Sequence, residues 1–242
     1  MRKGVKEYGY ACISADYRFA PQVGVKDILE DVNDCIKFIR NDLSKQLHDG
    51  GIDTSRLAIS GSSAGGYLAL LAGLYADPKP NVILPIYPIT DPLGWFFTTS
   101  QPPPMGRPLL SREELAEYLD PNASPVANNN PDPAKGKRQN MYVRMLADAN
   151  LAQLYHVSDP EVAKPFRISR NIYEHCLPPT YVLHGDADTA VGVEQADEVV
   201  GAALGLSVDV VYERVHGKNH FLDTAPEYEN KRFMEFMMRH LR

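Results

Sequence analysis

The sequence has 242 residues, of which 44% are hydrophobic and 23% charged, a balance typical of a globular chain with one sizeable core. Its formal net charge of −6 argues against nucleic acid and against an anionic membrane surface as partners. The three cysteines lack metal-ligand spacing, no apolar leader follows the basic N-terminus, and no run is long enough to span a membrane. We therefore expect a single cytoplasmic domain, residues 1–242, without metal or cofactor.

The first third of the chain alternates short apolar runs with helical patterns. Residues 10–16 and 57–60 predict two buried strands, and residues 82–87 predict a third. Between the first two, residues 25–39 carry apolar side chains at helical spacing on an otherwise charged segment. A helix-forming run, residues 64–75, follows the second strand and ends before Asp77-Pro78.

The alternation stops after the third strand and resumes about ninety residues later. We interpret residues 92–178, rich in proline, asparagine and polar side chains, as a lid-like insertion. It contains two predicted helices, 111–118 with a Ser-Glu capping box and 137–155. Its apolar residues either line a substrate pocket or anchor the lid: Trp95, Phe96, Phe97, Met141, Met145 and Leu146.

The last part of the chain returns to strands and helices. Residues 180–185 and 207–213 predict strands, separated by a helix over 193–204, and an amphipathic helix within 228–241 closes the chain. Strands that alternate with helices predict an α/β fold, a mostly parallel sheet with flanking helices.

The pattern Gly61-x-Ser63-x-Gly65 lies between a predicted strand and a predicted helix. A serine on such a sharp turn is a nucleophile elbow, and a side chain at either flanking glycine is expected to collide with the adjoining strand and helix. The turn also places the N–H of Ala64 at the start of the helix, where it can donate to an oxyanion.

A serine nucleophile needs a base and an acid that orients the base. Asp188 follows a buried strand, at the sheet edge where active-site loops gather, and His220 follows the last strand. The order Ser63, Asp188, His220 is that of an α/β-hydrolase triad.

Other side chains remain candidates for these roles. Asp186 and Asp91 are alternative acids, and His216 is an alternative base. We expect His184 to support the turn after its strand through its ring nitrogens.

Four motifs together resemble the hormone-sensitive-lipase-like carboxylesterases: Tyr17-Arg18-Phe19-Ala20-Pro21, Gly61-Ser62-Ser63-Ala64-Gly65-Gly66, His184-Gly185-x-x-Asp188 and the final His220. The resemblance implies Ser63 as nucleophile, Asp188 as acid, His220 as base and Ala64 as one oxyanion donor. It also implies a serine hydrolase that cleaves carboxylic esters of small molecules through an acyl-enzyme.

The sequence departs from this family at its N-terminal end. Family members carry a His-Gly-Gly-Gly oxyanion loop upstream of the Tyr-Arg-x-x-Pro turn, whereas the 16 residues before Tyr17 contain none. We therefore expect an N-terminally truncated hydrolase with weak activity, and unpaired strand edges that favour a homodimer. The alternatives are a non-catalytic or decayed hydrolase-like protein, or an amidase or arylformamidase on the same scaffold.

Overall fold

A parallel β-sheet forms the centre of the molecule. The structure, a computed structural model, describes residues 2–47, 51–128, 137–225 and 227–242, and in these residues the sheet has four strands in the order β1-β2-β3-β4. The strands are β1 (Ala58–Ser62), β2 (Val82–Ile86), β3 (Thr180–Gly185) and β4 (Val210–Val215). Each neighbouring pair is parallel, so all four strands end at the same edge of the sheet. This architecture confirms the predicted α/β class.

Helices cover both faces of this sheet. In chain order they are α1 (Arg2–Tyr8), α2 (Val25–Asn41), α3 (Leu43–Gln46), α4 (Ala64–Tyr75), α5 (Trp95–Thr98), α6 (Ala116–Leu119), α7 (Arg138–Asp148), α8 (Leu151–Leu154), α9 (Pro160–Ala163), α10 (Ile168–His175), α11 (Glu194–Gly205) and α12 (Lys231–His240). Two 3₁₀ turns lie at Pro104–Gly106 and Lys164–Phe166.

The two faces of the sheet bury separate apolar clusters. Successive side chains of a strand point to opposite faces, so Ile83 joins the larger cluster with α2 and α4, while Leu84 joins a smaller one under α12. The inner strands β2 and β3 are buried throughout, as expected for strands covered on both sides.

The segment between β2 and β3 packs on the larger cluster. Its buried residues, such as Phe97, Leu146 and Ile168, belong to the same cluster as α4. The predicted helix 137–155 is broken, because Ala149 has φ 52° and ends α7 before α8 begins. The Ser-Glu capping box is formed, yet it starts a turn that leads only into the short helix α6. One domain remains our prediction for this chain.

The prediction of a strand over residues 10–16 is wrong. This segment is irregular, and residues 11–16 are exposed. A strand requires a neighbour for its backbone hydrogen bonds, and the four strands described here pair only with one another. The predicted strand 207–213 begins instead at Val210, because Ser207 has φ 57°, a left-handed conformation that a strand does not accommodate.

Candidate active site

Ser63 occupies the sharp turn between β1 and α4. Its φ of 56° and ψ of −118° lie outside the regions that non-glycine residues normally adopt. The turn is held from below by the backbone N–H of Ser63, which donates to the Ile86 carbonyl at 2.9 Å. Ala64 is the first residue of α4, and its N–H is one of those that have no acceptor within the helix. The local geometry is the strand–turn–helix that the Gly61-x-Ser63-x-Gly65 motif predicts.

The two glycines of the motif are not equivalent. A Cβ on Gly61 would lie 2.3 Å from the Gly65 carbonyl oxygen, so the strand requires glycine there. A Cβ on Gly65 would meet nothing within 4 Å, which contradicts the expected collision at that position. The crowded helical glycine is Gly66, where a Cβ would lie 3.0 Å from Pro88 and 3.1 Å from the Gly61 carbonyl oxygen.

Asp188 and His220 form a buried pair beyond the ends of β3 and β4. Nδ1 of His220 lies 2.7 Å from Oδ2 of Asp188, and their side chains are 3% and 0% exposed. An ionised carboxylate only accepts hydrogen bonds, so the proton of the neutral imidazole is on Nδ1. Nε2 is therefore left as the acceptor that a general base requires.

The Asp188 carboxylate is saturated with donors. Oδ1 accepts the N–H groups of Ala190 at 2.8 Å and Val191 at 2.9 Å. Oδ2 lies 3.3 Å from Nε2 of His184, in addition to its contact with His220. Burial of the carboxyl raises its pKa, but the hydrogen bonds from His184 and His220 more than offset this, and the pKa of Asp188 falls to about 2.

The structure separates the alternative acids and bases from this pair. Asp186 contacts the imidazole of His216 at 3.0 Å, but that ring is 98% exposed. Asp91 is buried against Arg167 at 2.7 Å and is thereby occupied in a different ion pair. The prediction for His184 holds for one ring nitrogen, because Nε2 also lies 3.0 Å from the Val191 carbonyl in the turn after β3. Nδ1 is buried and has no hydrogen-bond partner among the described residues.

Ser63 and His220 line the same pocket, which has a volume of about 210 Å³. The insertion contributes five residues to its wall, and none of the aromatic residues 95–97 is among them: Pro104, Met105, Arg107, Gln139 and Tyr142. Phe96 and Phe97 are buried in the core, and Trp95 is 68% exposed. None of the six apolar residues singled out in the insertion lines the pocket, whose wall receives residues from a proline-rich turn without a recognisable motif and from helix α7.

Tyr87 is a site residue that the sequence did not single out. It follows β2, and its ring contacts that of His220 with a centroid distance of 4.2 Å. Its hydroxyl donates to Asp223 at 2.6 Å. Burial and this hydrogen bond raise the pKa of Tyr87 above its ordinary value, so the phenol is neutral and supports the imidazole by contact.

The described ranges contain no group of three or more His, Cys, Asp or Glu side chains that could hold a metal ion. In the same ranges, no helix is long and apolar enough to cross a bilayer.

Comparison of the sequence with known proteins finds a family model and two similar hydrolases. A family model described as BD-FAE matches residues 1–85. The probable carboxylic ester hydrolase LipM of Mycobacterium tuberculosis is 28% identical over 240 residues, which cover 90% of this chain and 43% of that protein. Esterase LipC of the same organism is 27% identical over 223 residues, with coverages of 89% and 46%. The chain thus spans less than half the length of these two relatives.

Solved structures show the same architecture. An α/β hydrolase superfamily protein from Enterococcus faecalis has a TM-score of 0.66 and 18% identity, and the alignment covers 93% of this chain and 76% of that one. Carboxyl esterase 2 from Tuber melanosporum has a TM-score of 0.61 and 20% identity, with coverages of 98% and 69%. The chain has the α/β-hydrolase fold. Its sequence is similar to those of carboxylic ester hydrolases.

Proposed function

We propose that this protein is a serine hydrolase that cleaves carboxylic esters of small molecules through an acyl-enzyme. One observation carries the proposal, namely that a buried Asp188–His220 pair opens onto the same pocket as Ser63 on its strained turn. If the Asp188–His220 pair served only stability, nothing would require His220 to line the same pocket as Ser63. The similarity to carboxylic ester hydrolases supports the ester as substrate.

In this proposal Ser63 attacks the ester carbonyl. Its hydroxyl proton passes to Nε2 of His220 while the Oγ–C bond forms. Negative charge develops on the carbonyl oxygen, and the N–H of Ala64 donates to it at the start of α4. The tetrahedral intermediate then collapses, the alcohol leaves with the proton from Nε2, and the acyl group stays on Ser63.

Water completes the cycle by the same route. His220 takes a proton from the water, the oxygen bonds to the acyl carbon, and the carboxylic acid leaves as Ser63 regains its proton. Asp188 stays ionised throughout, since its pKa is about 2, and it stabilises the imidazolium that forms twice in each turnover.

The neighbouring serines provide a matched test of the nucleophile. The wild-type protein, Ser63→Ala and Ser62→Ala are treated with a fluorophosphonate probe, and the labelled peptide is mapped by mass spectrometry. We expect the label on Ser63, its loss in Ser63→Ala and its retention in Ser62→Ala. Hydrolysis of p-nitrophenyl butyrate should follow the same order. Equal labelling of wild type and Ser63→Ala would refute the assignment, and absence of any label on the folded protein would favour a non-catalytic role.

A further inference from the structure

Arg107 lines the pocket beside Ser63, and its guanidinium group has no carboxylate partner among the described residues. Its backbone N–H donates to the Pro104 carbonyl at 3.1 Å. Other arginines of partly buried pairs are engaged, for example Arg18 with Asp31 and Arg167 with Asp91. The chain has more acidic than basic residues, 31 against 25. Even so, no carboxylate of the described residues forms an ion pair with the Arg107 guanidinium.

The guanidinium is held by an aromatic contact instead. Its central carbon lies over the ring of Phe221, 5.8 Å from the centroid. The Phe221 ring in turn meets that of His220, with 4.7 Å between centroids. Contact with an aromatic ring orients an arginine without using its N–H donors, so these remain available for a bound anion. The cation is therefore positioned one ring away from the proposed catalytic base.

The remaining wall of the pocket is mostly apolar. Pro104, Met105 and Ala190 contribute aliphatic surface, and the hydroxyl of Tyr142 is occupied by the Ala190 carbonyl at 2.7 Å. Gln139 also lines the pocket. At about 210 Å³ the space suits a short chain, and it is smaller than pockets for drug-sized ligands.

From these contacts we infer that the preferred substrates are small esters that carry a carboxylate, which Arg107 binds while the ester lies at Ser63. This inference rests on the proposed esterase function and names its substrate class. An Arg–carboxylate contact uses two parallel N–H donors and is stronger than a neutral hydrogen bond. The carboxylate can belong to the acyl or to the alcohol part of the ester, and the experiment separates the two.

Two pairs of esters, each with a carboxylate-bearing and a neutral member, provide the test. For the acyl part, kcat/KM is measured for the mono-p-nitrophenyl ester of adipic acid and for p-nitrophenyl hexanoate. For the alcohol part, it is measured for 4-acetoxybenzoate and for phenyl acetate. In each pair the charged-to-neutral ratio of the wild type is divided by that of Arg107→Gln, so that the intrinsic reactivities of the esters cancel.

We expect this quotient to be about 10 for one pair, because Arg107 is only partly exposed and a charged hydrogen bond is still screened by water there. Arg107→Lys should retain part of the preference, and 1 M NaCl should reduce it. The control is Arg239→Gln, which removes an arginine that contacts Phe236 at 5.4 Å outside the pocket. It should leave the quotient unchanged.

The assays distinguish a wrong substrate class from the absence of esterase activity. If neutral esters are hydrolysed and the quotient is 1 for both pairs, Arg107 does not select a carboxylate and the inference is wrong. If no ester is hydrolysed, the proposed function fails, and calorimetric titration with monomethyl adipate and methyl hexanoate then tests the pocket alone. A preference for monomethyl adipate that Arg107→Gln abolishes would support the binding site, and equal affinities would overturn it.

Discussion

Replacement of Asp188 by Asn tests the proposed triad most directly. The carboxylate accepts two backbone N–H groups on Oδ1 and the imidazole N–H of His220 on Oδ2. Asparagine can accept on one side only, and the two backbone donors require its oxygen on that side. Its NH₂ group then faces Nδ1 of His220, which must lose its proton to accept the hydrogen bond.

The expected loss of kcat in Asp188→Asn follows from the change of His220 tautomer. With the proton moved to Nε2, His220 cannot take the proton of Ser63, and the loss expected for a wrong tautomer is about 10⁴-fold in kcat. That factor corresponds to about 5.5 kcal/mol of transition-state stabilisation. KM should change little, because Asp188 is fully buried and does not line the pocket.

The assay is steady-state hydrolysis of p-nitrophenyl butyrate by wild type, Asp188→Asn and Asp186→Asn, each checked for folding by circular dichroism. Asp186 is a matched control, since it makes the same type of contact to Nδ1 of His216 at 3.0 Å but on the surface. We expect its variant to keep kcat within about threefold, as exposed pairs contribute little. A large loss in Asp186→Asn with normal turnover in Asp188→Asn would refute the assignment of the acid.

Two further predictions concern stability. Gly61→Ala should destabilise the fold by about 1–3 kcal/mol or more, because its Cβ would lie 2.3 Å from a carbonyl oxygen, whereas Gly65→Ala meets nothing and should gain up to about 1 kcal/mol of helix propensity. Urea unfolding of both variants checks this, and a more stable Gly61→Ala would contradict it. The stability advantage of wild type over Asp188→Asn should narrow by about 2 kcal/mol as the pH falls from 4 to 2, because the pKa drops from 3.8 to about 2 on folding, and the stabilisation is complete above the higher value. Urea unfolding at pH 2, 3, 4 and 6 measures the difference, and a constant difference would show that the carboxylate is not responsible.

The sequence alone was sufficient for the elements that depend on neighbouring residues. The bounds of α4 agree with the predicted helix 64–75, and β1 overlaps the predicted strand 57–60. An apolar run, a glycine turn and a helix-forming run are local features, and the elbow is built from local backbone geometry. The same holds for the capping box, whose two hydrogen bonds span three residues.

Which aspartate pairs with which histidine depends on the register of the sheet and could not be predicted from the sequence. Asp186 and Asp188 are two residues apart, and His216 and His220 are four residues apart. The order of the motifs along the chain therefore did not exclude Asp186 or His216. The parallel register sets Gly185 opposite Val215, so the next residues along the two strands, Asp186 and His216, meet at the surface. Asp188 and His220 lie further along the same two loops, and there their side chains are buried.

Long-range contacts also explain why residues 10–16 form no strand and why Arg107 lies in the pocket. Residues 10–16 have an apolar start, but a strand forms only beside a neighbour that supplies hydrogen bonds, and composition does not report that neighbour. Arg107 lies in a proline-rich stretch without a motif, and its place beside Phe221 depends on contacts across more than a hundred residues. Local sequence therefore determined the turn that carries Ser63, because its constraints lie within one strand and one helix. Tertiary packing decided what faces Ser63, because those side chains come from loops that only the folded sheet brings together.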